Sequence, residues 1–305
     1  MSDELAERIA RRRRAIRLKE RRRRQVRRRR LVLGSVLLLL FAGVGFVTLR
    51  HGGSGTGGST LASAGNDITS TTLKVSGAQP DDSWTPHEGP VPILMYHVIG
   101  DPAAGASNTS LYLSVADFQD QVDWLEDDGY TAVTLNQVQD AWYDGATLPE
   151  KPVVLSFDDG YLGQYLEAMP ILREKGWGGL LNLKAEGSDL NTTEVKKMMK
   201  AGWEIASHTI THLDLTSLDP AMLEDEVAGS KKELETELGV DIDNFCYPAG
   251  RYDDTVIAAV EDAGYRGAIT TNPGLARKDM PFELDRIRIS QGEGSEALAS
   301  YMSAY

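Results

Sequence analysis

The sequence predicts an α/β protein, a distorted (β/α)7-type barrel preceded by a single transmembrane helix and a flexible linker. Three observations carry this. From about Val91 onward, short apolar runs rich in β-branched residues alternate with amphipathic stretches, which implies a parallel sheet covered by helices. No glycine-rich phosphate loop of the GxGxxG or GxxxxGK[ST] type follows the first apolar run, which argues against an open nucleotide-binding sheet and for a closed or partly closed barrel. Ahead of this region lies an uncharged run, residues 31–49, behind an arginine-rich lead.

The N-terminal elements follow from charge and hydropathy. The chain has 305 residues, enough for one large domain with appendages. Residues 1–30 hold 15 Lys/Arg against 4 Asp/Glu, a net of +11, while the remainder holds 17 against 41, a net of −24. Such opposite halves meet different surroundings. "LVLGSVLLLLFAGVGFVTL" carries no charge, and nineteen residues in a helix span roughly 28 Å, close to the hydrocarbon thickness of a bilayer. The arginines on its N-terminal side place 1–30 in the cytoplasm and the rest outside, with the folded domain extracytoplasmic on a single-pass anchor in the cell membrane. The run is longer than the apolar core of a cleavable signal peptide, and "ASA" at 62–64 stands too far from it to be the cleavage site. The basic tail beside a membrane span is read as contacting anionic lipid, not nucleic acid. Residues 50–88, rich in Gly, Ser and Thr, form the linker, and 89–305 form the folded domain. The single cysteine, Cys246, excludes an intramolecular disulfide.

Within the domain the elements run in order. "VPILMYHVI" is a buried strand. "SVADFQDQVDWLEDDG" has Phe118, Val122 and Leu125 at helical spacing, Ser114 as cap and Gly129 as stop. "YTAVTL" is a strand, "NQVQDAWYDG" a helix and "KPVVLSF" a strand. "YLEAMPILREKG" is helical up to its proline, "GGLLNLKAE" is a strand and "TTEVKKMMKAG" a helix. "WEIASH" is a strand, "DPAMLEDEVAGSKKELETELG" a long helix and "NFCYPAG" a strand end. "DDTVIAAVEDAG" is a helix, and "YRGAITT" and "DRIRIS" close the series as strands.

The chemistry collects at strand ends, where barrels place it. Two adjacent aspartates, Asp158 and Asp159, follow "VVLSF" and precede Gly160. Alone they would be a turn closing a strand. Fifty residues on, "SHTITH" holds His208 and His212, two of the three histidines in the folded domain. The β-branched residues between them favour a turn over a helix, and Thr209 stands where a metalloprotease helix needs glutamate. One carboxylate and two imidazoles supply three metal ligands with a fourth position for water, and the second carboxylate is free to take a proton.

These motifs resemble those of the polysaccharide deacetylases (the NodB-homology group, carbohydrate esterase family 4). "SFDDG" is similar to their TFDDG motif, "SHTITH" to H[ST]xxH and "FCYPAG" to their third motif. "VPILMYHVI", "DFQDQVDWLEDDGYTAVTL" and "RIRIS" resemble the exported branch that includes poly-N-acetylglucosamine deacetylases. The resemblance covers about residues 90–290. It implies Asp158 as general base, Asp159, His208 and His212 as ligands of a divalent metal (zinc first, with cobalt, nickel or manganese compatible), and the backbone N–H of Ala249 as an oxyanion donor. The family's late-motif histidine is absent, and His97 is assigned as general acid. Where the family has an arginine against the base, this chain has Cys246; Arg286 or Arg288 is the candidate for that place, with a surface strand charge as the alternative for each. Tyr161, Trp203, Tyr247 and Trp177 are candidates for a sugar groove, with core packing as the alternative for each. The expected activity is hydrolysis of N-acetyl groups on a cell-surface polysaccharide by a monomer. O-acetyl ester hydrolysis and an inactive glycan-binding protein are the rivals.

Overall fold

The computed structural model describes residues 78–305. The basic tail 1–30, the apolar run 31–49 and linker residues 50–77 lie outside the described residues. Among the described residues no helix is long and apolar enough to cross a membrane. The expected linker extends to 88, yet Trp84 is buried in the core and Gln137 donates to the carbonyl of Ala78 at 2.8 Å. The packed chain therefore begins ahead of residue 89, because a buried indole removes a large apolar surface from water.

The elements are β1 (Ile93–Tyr96), α1 (Val115–Asp127), β2 (Tyr130–Ala132), α2 (Leu135–Asp144), β3 (Lys151–Asp158), α3 (Met169–Glu174), β4 (Leu180–Leu183), α4 (Thr192–Lys200), β5 (Glu204–Ser207), α5 (Pro220–Glu224), α6 (Ser230–Leu238), β6 (Asn244–Cys246), α7 (Asp254–Asp262), β7 (Gly267–Pro273), β8 (Leu284–Arg288) and α8 (Ser295–Ser303). β1 pairs with β3 from Ile93↔Val154 to Tyr96↔Phe157, and with β8 through Ile287↔Leu94. The intervening strands β4 to β7 pair in sequence order, all parallel, so seven strands close into a barrel. β2 pairs only with the first half of β3, Tyr130↔Lys151 to Ala132↔Val153, and is excluded once β1 takes over at Val154.

Side chains alternate across a strand, so alternate residues line the barrel. One apolar cluster takes Ile93, Val154, Leu180, Ala206, Cys246, Ile269 and Leu284, one from each barrel strand. Their neighbours, including Leu94, Leu155, Leu181, Ile205, Phe245, Ala268 and Ile287, belong to the other cluster with the covering helices. The same parity that points Val154, Leu180, Ala206 and Leu284 inward also carries Asp158, Asn182, Lys184, His208 and Arg286. The N-terminal mouth is stoppered by α2, whose Leu135, Val138, Ala141 and Trp142 join the interior cluster. Beneath it lies a polar layer. Glu204 accepts from the backbone N–H of Asn136 and from Asn244 at 3.0 and 2.9 Å, and Gln139 donates to Asn244 at 2.8 Å.

Local chemistry sets the helix ends. Ser114 caps α1 by accepting from the N–H of Asp117. The expected strand "YTAVTL" stops at Ala132 because Thr134 forms a capping box with Gln137 and starts α2 at Leu135. The helix through "YLEAMPILREKG" does not end at Pro170. A π turn over Gln164–Ala168 precedes α3, and the wider turn accommodates a ring that would clash with an α-helical carbonyl. A second π turn, Asp225–Gly229, joins α5 to α6.

Candidate active site

Asp158 is the last residue of β3 and its carboxylate faces inward, buried among donors. Arg286 of β8 grips it with both guanidinium nitrogens, Nη1 to Oδ1 at 2.8 Å and Nη2 to Oδ2 at 3.0 Å. Asn182 of β4 donates to Oδ1 at 2.6 Å. Arg286 is wholly buried and is itself fixed by the carbonyl of Thr270 at 2.6 Å and the hydroxyl of Ser156 at 3.1 Å. Arg288, two residues on, is exposed, so the arginine expected against this aspartate is Arg286. Burial opposes ionisation of Asp158, but Arg286, with His97 as a smaller contribution, outweighs it and holds the carboxyl well below its usual range. Oδ1 is saturated, whereas Oδ2 faces Nε2 of His97 at 3.6 Å.

His97 follows β1. Burial lowers its pKa, with Asp158 and Asp159 acting in opposition. One buried amide ties the two strand ends together, since Nε2 of Gln164 donates to the carbonyls of both His97 and Asp158 at 2.7 Å.

Asp159 would face outward by strand parity. It does not, because its φ is 75° and Gly160 follows at 69°, and this left-handed turn brings the carboxylate round to the barrel mouth. Gly160 is required there: a Cβ would lie 2.4 Å from Oγ of Ser188. Among the described residues, five non-glycines have left-handed φ, and four of them are Asp159, Thr209, His212 and Ala249. Such strain persists only where surroundings impose it.

The "HTITH" segment is a turn, as its β-branched residues suggested. Thr209 and His212 have φ near 64° and 63°, and the Thr209 hydroxyl accepts from the N–H of His212 at 2.9 Å. Glu226, buried in the second π turn, accepts from the N–H groups of Ile210 and Thr211 at 3.0 and 2.9 Å and from the Thr211 hydroxyl at 2.5 Å. It is the clamp that shapes the loop.

The turn brings together Asp159, His208 and His212, whose ligand atoms lie within 4.8 Å of one another. Nε2 of His208 and of His212 lie 4.0 and 3.7 Å from Oδ1 of Asp159. Nδ1 of His208 is 2.8 Å from the carbonyl of Cys246, which fixes the proton on Nδ1 and leaves Nε2 with a free lone pair. Burial lowers the His208 pKa to about 4, so the ring is neutral at pH 7. Two imidazoles and one carboxylate fit a divalent cation of the zinc type. A second cluster, Asp158, His208 and Cys246, fits less well. Its carboxylate is already held by Arg286, and burial pushes the Cys246 thiol well up, so it stays protonated.

The remaining expected residues divide. Ala249 lies exposed in the turn after β6 with φ 52°, at the same end of the barrel. The following Gly250 admits no side chain, since a Cβ would lie 1.8 Å from Oγ1 of Thr271. Tyr161 is half-buried beside the site, with Nζ of Lys184 5.9 Å from its ring centre. Trp203 and Tyr247 correct the expectation of a sugar groove. Trp203 precedes β5, at the end of the barrel opposite the aspartates, fully buried against Phe157 at 4.8 Å. Tyr247 is also fully buried, stacked on Tyr252, and donates to the carbonyl of Phe282 at 3.0 Å. Trp177 is buried in the outer cluster.

Asn182, Lys184, Gln164 and Glu226 were not foreseen. Asn182 and Lys184 had a signal, being polar residues two apart at the end of an apolar strand. Glu226 had one too, being an acid on the apolar stripe of Leu223, Val227 and Leu234.

The barrel's C-terminal mouth thus gathers three donors for a cation beside a second, buried carboxylate, and similarity to known proteins says what class of protein carries it. Residues 145–268 match the family model for polysaccharide deacetylase. YxkH of Bacillus subtilis (strain 168), described as a polysaccharide deacetylase by assignment, is 34% identical over 229 residues, covering 73% of this chain and 80% of that protein. The structure of the Streptococcus pyogenes deacetylase PplD in complex with acetate superposes with a TM-score of 0.66 at 28% identity, covering 71% of this chain and 99% of that one. The poly-β-1,6-N-acetyl-D-glucosamine N-deacetylase of Escherichia coli (strain K12) is 39% identical over 97 residues, covering 32% of this chain and 14% of that protein. The chain belongs to the polysaccharide deacetylase family, whose members are hydrolases of carbon–nitrogen bonds other than peptide bonds.

Proposed function

We propose that this protein hydrolyses the acetamide of N-acetylglucosamine units in a cell-surface polysaccharide, yielding a free amine and acetate. The observation that carries the reading is the juxtaposition of two sets at one barrel mouth: Asp159, His208 and His212 as donors for a cation, beside Asp158 held by Arg286. A divalent cation, zinc first and otherwise cobalt, nickel or manganese, supplies Lewis acidity toward the acetyl carbonyl and the attacking water. The other roles fall to the chain. Asp158 takes the water's proton at Oδ2, the oxygen not saturated by Asn182. Arg286 keeps that carboxylate ionised and oriented, so it is ready as acceptor at neutral pH. The N–H of Ala249 donates to the oxygen that gains charge as the carbonyl becomes tetrahedral. His97 passes to the departing nitrogen the proton that Asp158 has gained, since burial disfavours a resting imidazolium. Its Nε2 lies 3.6 Å from Oδ2 of Asp158, near enough for the proton gained there to reset the pair after a small approach. Tyr161 borders the mouth and is the aromatic left to meet a sugar ring.

The glycan is inferred from the E. coli relative's named substrate and from the site's acyl-transfer chemistry. The extracytoplasmic, membrane-anchored location is inferred from residues 1–49 alone, where the arginines precede the apolar run.

Acetate release tests the substrate. The protein is loaded with Zn²⁺ or Co²⁺ and given N-acetylglucosamine oligomers, de-O-acetylated peptidoglycan and O-acetylated xylan. Acetate from the first two, with the matching free amines, is the expected result. Acetate from the xylan alone would replace the amide reading with ester hydrolysis. Glycan binding without acetate from any substrate would make the protein a binder.

A further inference from the structure

Each aspartate of the DDG turn has its own cation, and the two cations differ in kind. Arg286 is wholly buried, forked onto Asp158 and pinned by Thr270 and Ser156. Lys184, one residue beyond β4, places Nζ 3.1 Å from Oδ1 of Asp159. That is the same oxygen that faces His208 and His212. Strand parity explains why Lys184 is there, since Leu180 and Asn182 before it point inward as well. Its side chain is 17% exposed, so the ammonium reaches the site from the rim.

The ammonium therefore occupies the carboxylate oxygen that a dication between the three donors would need. A unit charge and a double charge close together in this partly desolvated mouth repel strongly. Lysine is a point charge on a flexible stem and can leave, whereas the pinned guanidinium cannot. The face of Tyr161 and the solvent both lie within reach of a displaced ammonium.

We propose that Lys184 is an exchangeable counter-ion of the metal centre, neutralising Asp159 in the metal-free protein and yielding when a divalent cation enters, so that it sets the metal affinity of the site. This rests on reading Asp159, His208 and His212 as the metal donors. Cation binding then includes the cost of breaking the Lys184–Asp159 pair, and the metal-free protein is kept from holding an uncompensated carboxylate.

The test is Zn²⁺ affinity, measured on the whole protein by competition with a fluorescent chelator, with no substrate present. Lys184→Met and, as a second neutral variant, Lys184→Gln are expected to bind Zn²⁺ at least tenfold more tightly than wild type. Lys184→Arg, which keeps the charge, is expected to stay within about threefold. The metal-free Met variant should melt below wild type, and its Zn²⁺-induced rise in melting temperature should be the larger. Equal or weaker binding in both neutral variants, with wild type binding, would overturn the proposal and make Lys184 an orienting residue for Asp159. Tenfold tighter binding in Lys184→Arg would overturn it too. Absence of Zn²⁺ binding in wild type and every variant would overturn the metal centre itself, and the proposal with it.

Discussion

Arg286→Met isolates the central electrostatic relation of the site. The variant keeps much of the side chain's volume and removes the guanidinium from Asp158. Two charge-assisted hydrogen bonds, at 2.8 and 3.0 Å, are lost with both partners fully buried. Breaking a buried pair by removing one partner costs about 3–5 kcal/mol, since the other charge is left uncompensated. Against a total stability of about 5–15 kcal/mol for a domain, the variant folds but is marginal. The pH dependence gives the sharper signature. In wild type the Asp158 pKa is depressed, so its stabilisation is present above the unfolded value of 3.8 and is lost only as pH falls through the folded value. Without Arg286, burial dominates and the folded pKa rises above 3.8, so the variant loses stability as pH increases. Urea unfolding at pH 5 and pH 8 measures both, and the penalty should be larger at pH 8. Adding Asp158→Asn to Arg286→Met should recover about 2 kcal/mol or more, because no charge is then stranded. A penalty under about 1 kcal/mol that is equal at the two pH values would refute the reasoning, since a buried carboxylate cannot lose such a partner without cost.

Three further outcomes follow from other parts of the fold. Burial raises the pKa of Glu204 to about 7, above its ordinary 4.5, so this group's contribution to stability falls as pH rises between those values. By linkage the fall approaches about 3 kcal/mol, and urea titrations from pH 5 to pH 8 should show it in wild type and not in Glu204→Gln. Glu226→Ala removes the three hydrogen bonds that shape the "HTITH" turn. It should cost about 2–4 kcal/mol in thermal or urea unfolding and weaken Zn²⁺ binding by more than about tenfold. Trp203→Leu opens space in the outer cluster against Phe157 and not in the barrel mouth; it should cost about 2–4 kcal/mol, yet leave the KM for glycan within about twofold in steady-state assays.

Much of this was legible because period and chemistry coincide. The alternation of short apolar runs with helices gave the barrel, and catalytic residue types at strand ends gave Asp158, Asp159, His208 and His212. Arg286 and Arg288 share a strand face, so only depth in the barrel separates them, and depth depends on register. Register was also the reason "YTAVTL" did not become a barrel strand: β3 is long enough to serve two partners, and β1 takes its C-terminal half. Gln164 depends on which helix lies over which strand end, a tertiary fact with no local pattern, whereas Glu226 showed as an acid on an apolar stripe but not which loop it would hold. Trp203 could have been placed from sequence, since a residue before a strand lies at the opposite end from residues that follow its neighbours. Tyr247 could not, because whether its ring turns to the mouth or to Tyr252 is decided by packing.

The most direct test of the account is Asp158→Asn compared with wild type on N-acetylglucosamine oligomers, with Zn²⁺ binding and the folded state measured on the same samples. The account predicts that the variant remains folded and binds Zn²⁺ at Asp159, His208 and His212, while acetate release falls by about a thousandfold or more, because Oδ2 can no longer take the proton. Acetate release within about tenfold of wild type from a folded, Zn²⁺-loaded variant would contradict it, and would move the base away from Asp158.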